Sequence, residues 1–298
     1  MSLRLPTLPT ILSLLIAITL SAETNAQEVL RWKFQRGQQL KYNVQENMET
    51  VMNVGGNEIQ QQMKMQMDIV WNILGVAAGG DATMDQIVTR AQIKMASGPD
   101  KEDAFDTNKP EKTENLFLNS MGDVFLKIVN QNFTITMKPT GEVDNVEIPA
   151  EMLEAIKASA AGNPAALNES TLKQMMKQSA VTMPANGVAP NGTWTSRQSV
   201  ESPYATISIT STMTFASKDA DGNVLIDIDP AVVITPKEGA AVKMTLTESK
   251  GKGQVTFNVA QGVVTKSQLV MEMTMEIDSG QRAFQQTVTK TTAMTLVP

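Results

Sequence analysis

Two short runs carry the most distinctive chemistry of this chain: Met63-Lys64-Met65-Gln66-Met67 and Met271-Glu272-Met273-Thr274-Met275. In an extended strand every second side chain points the same way, so each run presents three thioethers on one face. Clustered thioethers are soft ligands that select Cu(I) in an oxidising compartment. They also fill irregular apolar volume and form the adaptable surfaces used by promiscuous binders of apolar ligands. With no histidine and no cysteine among 298 residues, the ligands that copper carriers commonly add are missing. Packing under a curved sheet is the stronger reading of the alternation.

Other spacings carry less. Ser170-Thr171-Leu172-Lys173 matches S-x-x-K, but the S-D-N and K-T-G partners of that nucleophile motif are absent. A helix cap with a lysine on the next turn accounts for it. Asp219-Ala220-Asp221-Gly222-Asn223 invites a calcium loop, yet its glycine is fourth and position twelve is Pro230, against the sixth and twelfth positions such a loop needs. An Asp-Gly hairpin turn fits better. The acids from Asp100 to Asp106 read as a solvated loop, and Glu151 with Glu154 as a helix start favoured by the macrodipole. Asn132, Asn168 and Asn191 open N-x-S/T triplets to which no role is attached. G-x-S-x-G, Walker A and G-x-G-x-x-G are all missing.

Zero His removes the usual general base near neutral pH. Zero Cys removes disulfides, thiolate nucleophiles, Cys-ligated zinc and lipid-modified cysteine. No catalytic residue, metal ligand or cofactor is therefore assigned, and the chain reads as non-enzymatic. With 25 basic against 31 acidic side chains, net charge -6, it lacks the basic face of a nucleic-acid binder. At 4% aromatic residues it also lacks a base-stacking platform.

The elements that position the methionines follow from periodicity. Leu40, Tyr42, Val44, Met48, Met52 and Val54 alternate with polar residues, turn at Gly55-Gly56-Asn57, and resume at Ile59, Met63, Met65, Met67, Ile69, Trp71 and Ile73. This is a long antiparallel hairpin, each strand about 50 Å at ~3.3 Å per residue, which must twist. A third strand follows Gly79-Gly80-Asp81, and residues 97–114 read as a charged loop. A helix is expected over 115–130, a hairpin around Pro139-Thr140-Gly141, a helix from Ala150 to Ala161 behind Pro149, and a third helix from Asn168 or Ser170 to about Ser179. Met183 to Asn191 reads as a linker. Alternating strands then run from Ala205 to Leu296 with turns at Asp221-Gly222, Gln261-Gly262 and Ser279-Gly280.

The expected fold is mainly β (α+β): a large, curved antiparallel sheet or open barrel of long hairpins, with a helical insert of about three helices. Residues 1–26 read as a signal peptide, with Arg4 before the apolar run Ile11 to Leu20 and Thr24-Asn25-Ala26 as the cleavage site. Residues 27–148 form an N-terminal β-rich half, 149–190 the helical insert and linker, and 191–298 a C-terminal β-rich half fused to the first. No later segment reaches the ~20 apolar residues of a membrane span. The mature protein is expected to be periplasmic or secreted.

One face of such a sheet, with Met63, Met65, Met67, Trp71, Met271, Met273 and Met275, is the candidate ligand surface. Its expected partner is an apolar ligand: a lipid or a lipidated polypeptide. Two alternatives stand beside it, a cell-envelope structural or protein-interaction protein without a small ligand, and a methionine-rich Cu(I) binder.

The opening Leu30-Arg31-Trp32-Lys33-Phe34-Gln35-Arg36-Gly37 resembles the L-x-W-K-F-x-x-G start of an exported bacterial family of unknown function, found mainly in planctomycete-type genomes. Asn191-Gly192-Thr193-Trp194, the Gly253-to-Phe257 strand, and Gly280-Gln281 followed by Thr287 to Leu296 also match. The resemblance covers the whole mature chain, rests on structural residues, and implies no catalytic residue. The architecture is also similar to periplasmic lipoprotein carriers, whose curved antiparallel sheet cups helices and an acyl-binding cavity.

Overall fold

The long period-2 runs fold as they read. The computed structural model describes residues 27–98, 102–154, 169, 172–173, 176, 180–202, 204–280 and 282–298. Its elements are β1 (Gln39–Val54), β2 (Asn57–Val76), β3 (Ala82–Ser97), β4 (Glu102–Asp106), α1 (Leu116–Ile128), β5 (Phe133–Met137) and β6 (Val143–Glu147), followed by β7 (Thr193–Glu201), β8 (Ala205–Lys218), β9 (Asn223–Pro236), β10 (Lys243–Asn258), β11 (Val263–Asp278) and β12 (Ala283–Val297). Residues 150–154 are helical, as are Glu169, Leu172, Lys173 and Met176. The expected signal peptide, the rest of the second helix and most of the third lie outside the described residues.

All twelve strands join one antiparallel sheet in the order β6-β5-β3-β2-β1-β12-β11-β10-β9-β8-β7, with β4 on the outer edge of β3. Short turns make this a meander. Gly55 and Gly56, at φ 61° and 83°, close the β1–β2 hairpin with the two positive-φ residues its tight turn demands. Two pairings join strands that are not consecutive: β3 with β5, across β4 and α1, and β1 with β12, from opposite ends of the described chain.

One end of the sheet closes on a packed base. Leu40, Tyr42, Trp71, Ile73, Met84, Ile135, Met137, Met213, Phe215, Ile226 and Phe257, from seven strands, bury around residues 30–34. Trp32 is the hub: its ring lies 5.9 Å from Phe34, 5.8 Å from Trp71 and 6.1 Å from Phe257. Its backbone N–H donates to Pro139 O at 2.8 Å and its indole N–H to Val181 O at 2.9 Å. Gly141, at φ 84°, faces this crossing, where a Cβ would sit 2.3 Å from Val181 O.

Two expectations are corrected here. The stretch from Met183 to Asn191 is no free linker: Met183 and Val188 are buried, Met183 N–H donates to Thr140 O at 2.7 Å, and Glu28 and Val188 exchange backbone bonds of 2.8 and 2.9 Å. Its prolines and glycine bend a strap whose apolar residues pack on the base. The acidic loop is corrected too, since residues 102–106 form β4. Phe105 turns inward against Ile93 while Asp106 meets Arg90 on the other face.

The sheet also forks. β9 pairs with β10 only from Asn223–Ile228 to Gly253–Asn258, and beyond that the two strands part. Pro230 is the wedge, because it has no N–H to continue the ladder. Its ring packs where a Cβ on Gly251 would lie, 2.6 Å from Pro230 Cγ and 3.1 Å from Val270 O. Gly251→Val is therefore expected to cost about 1–3 kcal/mol. Urea unfolding measures it against Gly75→Ala, where a Cβ meets nothing within 4 Å and the change stays within about 0.5 kcal/mol.

Candidate functional site

Register decides which side chains share a face, because directly opposed residues in an antiparallel pair point the same way. Met63 stands opposite Met48 and Met95, Met65 opposite Glu46 and Ile93, and Met67 opposite Val44 and Ala91. Across the sheet, Met271 stands opposite Lys290, Met273 opposite Val288, and Met275 opposite Gln286. β1 and β12 connect the two sets through Met48 with Lys290 and Thr50 with Val288. All six methionines therefore lie on the inner face, the face that forms the packed base. The two runs make rails three strand spacings apart, about 14 Å.

The rails differ in cover. α1 packs over the β2–β3–β4 side: Leu118 joins Ile93 and Phe105 in a small core, with Met63, Met65, Met95, Met121 and Phe125 around it. Asn115 caps the helix by accepting from Leu118 N–H at 3.1 Å. Gly122 lets α1 approach so closely that a Cβ there would be 2.6 Å from the Phe105 ring. On the other rail Met271 and Met275 are buried, at 9% and 6% exposure, and Met273 is half-buried. Trp71, grouped with the methionines from sequence, belongs instead to the base. Its ring is 5.0 Å from Tyr42, whose buried phenol is pushed up above its ordinary pKa and donates to Val264 O at 3.1 Å.

Between the rails the inner face mixes polar residues with apolar ones, which the sequence reading missed. Glu46, Thr50, Gln286, Lys290 and Thr292 share it, and Lys290 Nζ meets Glu46 Oε1 at 2.9 Å. The side chains of Lys290 and Glu46 are 40% and 21% exposed, so water reaches the middle of this face. The signal was present: Glu46 and Lys290 occupy apolar-phase positions of their strands. On the opposite face, at the fork, a cavity of about 580 Å³ is lined by Thr212, Thr214, Asp227, Asp229, Lys252 and Gln254.

β4, which carries Phe105 beneath α1, is clamped from the outer face. Arg90 donates from Nε and Nη2 to the two Asp106 oxygens at 3.1 and 2.6 Å, a bidentate pair. Arg90 foremost, then the Asn108 N–H and the Gln92 amide, hold the Asp106 carboxyl far below the usual carboxylate range, with partial burial opposing them.

Of the lesser motifs, Asp219–Asn223 forms the hairpin turn that its Asp-Gly pair suggests. Lys173 pairs with Glu169 at 2.8 Å, and Ser170 lies outside the described residues. Asp219 closes the β8–β9 turn by accepting from Asn223 N–H at 2.8 Å. Among the described residues no three His, Cys, Asp or Glu side chains are grouped to hold a metal ion. Among them, too, no helix is long and apolar enough to cross a membrane.

Residues 79–294 match the model of a family of unknown function, DUF6263. The matched stretch contains α1, β3 to β11 and most of β12, while the tryptophan-bearing opening precedes it. No curated protein matches the chain. Among solved structures, one described by lipid–protein interactions in lipovitellin is similar at 8% identity and TM-score 0.49, covering 89% of this chain. The chain spans only 26% of that one. An outer membrane channel from Pseudomonas putida F1 is similar at 5% identity and TM-score 0.24, covering 90% of this chain and 98% of its own.

The clamp sets a pH dependence. A carboxyl with a lowered folded pKa stabilises above its unfolded value, 3.8 here, and loses that contribution as pH falls toward the folded value. Asp106→Asn is expected to lower stability by about 1 kcal/mol near neutral pH. Denaturant melts at stepped pH should show the gap to wild type closing below about pH 4.

Proposed function

The chain belongs to the DUF6263 family, and we propose on that premise that it is an exported, non-enzymatic protein holding an apolar or amphiphilic ligand, a lipid or lipidated polypeptide, on the inner face of its sheet. One observation carries the reading. Two methionine rails, about two hundred residues apart in sequence, lie on one face on either side of a midline that water reaches. A dry core has no use for an ion pair there, since desolvating both charges costs more than their attraction returns. A surface for an amphiphile does: flexible thioethers conform to a chain of variable shape, while the polar midline accepts water or the ligand's polar part. Met65, Met67, Met271 and Met273 are the contact residues of this reading; Trp71 supports the base.

A second reading, a protein-interaction role without a small ligand, is favoured by the start of α1. There Leu116 and Phe117 are 82% and 59% exposed.

Native mass spectrometry of the mature protein, purified without detergent from its own envelope, tests the first reading. A retained lipid mass is expected in wild type, falling roughly tenfold in Met67→Gln/Met273→Gln. A bare polypeptide mass, unchanged after incubation with total lipid extract, overturns it.

A further inference from the structure

Under α1 the methionines are arranged for more than packing. Met48, Met63 and Met95 stand directly opposite one another on β1, β2 and β3, which puts neighbouring Cβ atoms about 5 Å apart. Met121, from α1, packs on the same small core as Met63, Met65 and Met95. Met63 and Met95, adjacent across β2 and β3, and Met121 on the helix above thus border the same small core, with Met48 next in the row, and each side chain has three rotatable bonds with which to aim its sulfur. At the end of the row Asp103 stands opposite Met95, placing a carboxylate beside the sulfurs. Met63 and Met95 are half-buried rather than sealed.

The geometry points to a binding site for a soft monovalent cation, Cu(I) or Ag(I), formed by the Sδ atoms of Met63, Met95 and Met121 with Met48 completing it. Ligand type selects the ion. Neutral thioethers bind soft d¹⁰ cations and leave Zn(II), Mg(II) and Ca(II) to oxygen, imidazole and thiolate donors, and this chain has no histidine or cysteine to recruit those. A thioether does not titrate, so the sulfur ligands impose no pH dependence of their own on occupancy. The site shares no residue with the four contact methionines named above, and the opposite rail takes no part.

Methionine-to-leucine exchange discriminates, because it conserves volume and apolarity while deleting sulfur. Wild-type mature protein is titrated anaerobically with Cu(I) against a chromophoric chelator, and with Ag(I) by calorimetry. One equivalent is expected to bind, with affinity reduced at least about tenfold in Met63→Leu/Met95→Leu/Met121→Leu. Met271→Leu/Met273→Leu/Met275→Leu is expected to bind as wild type. Thermal melts confirm that both triple variants fold; if the first does not, Met121→Leu alone on the helix surface gives the same readout. Failure of wild type to compete with the chelator overturns the site, as does undiminished binding by the folded Met63/Met95/Met121 variant. The Met63/Met95/Met121 variant leaves Met65, Met67, Met271 and Met273 in place, so lipid retention measured on it reports on the other proposal independently.

Discussion

The structure depends on one crossing, where Trp32 passes over the base of the sheet. A meander of this kind has two edges, β6 and β7, that never pair with each other. At the base they are joined by the strap: Val181 O accepts the Trp32 indole N–H and the adjacent Thr182 O accepts that of Trp194, each at 2.9 Å. Trp194 on β7 and the Thr140 carbonyl of the β5–β6 turn, which accepts the Met183 N–H at 2.7 Å, thus hold both edges to the backbone segment that also anchors Trp32. Gly141 and Gly262 are needed for the same crossing, since a Cβ on the latter would lie 2.4 Å from Lys33 Cγ. Without this tie the two edges would be free to part at the base, although backbone pairing through β1 and β12 still sets the spacing of the methionine rails.

A closed base and a forked far end divide the sheet into regions of different character. Near Trp32 the inner face is aromatic, dry and fully packed. Away from it, methionines replace aromatics, charged residues enter the midline, and Pro230 separates β9 from β10. Rigid packing at one end lets the other be adaptable, since binding regions are drawn from the less densely packed parts of a fold.

Much of this was legible in the residues. Alternation identified β1 to β3, β8, β9, β11 and β12 and both ends of β10, which read as two separate strands, while Leu116, Phe117, Met121, Val124, Phe125 and Ile128 marked α1. It also put each methionine run on a single face. What alternation cannot supply is the neighbour of each strand, so the pairing of β1 with β12, and with it the meeting of the two rails, had to come from the structure. β4 was hidden because its charges outnumber its one buried residue, Phe105. The strap was hidden because proline and glycine mark a bend whether it is free or packed. Glu46 and Lys290 stood in plain view as breaks in an apolar phase, but without register there was no reason to join them.

The position of β12 governs how the molecule comes into being. Its pairing with β1 joins residues 41–53 to residues 285–297, so a chain made from its N-terminus holds β1 with one edge unsatisfied until residues 283–297 have been made. Contacts that distant in sequence form late and slowly, and a long open strand edge invites pairing with another chain in the interval. A chaperone shielding β1 during synthesis, or simple speed in completing the C-terminal meander, becomes as much a condition of reaching this sheet as any contact within it.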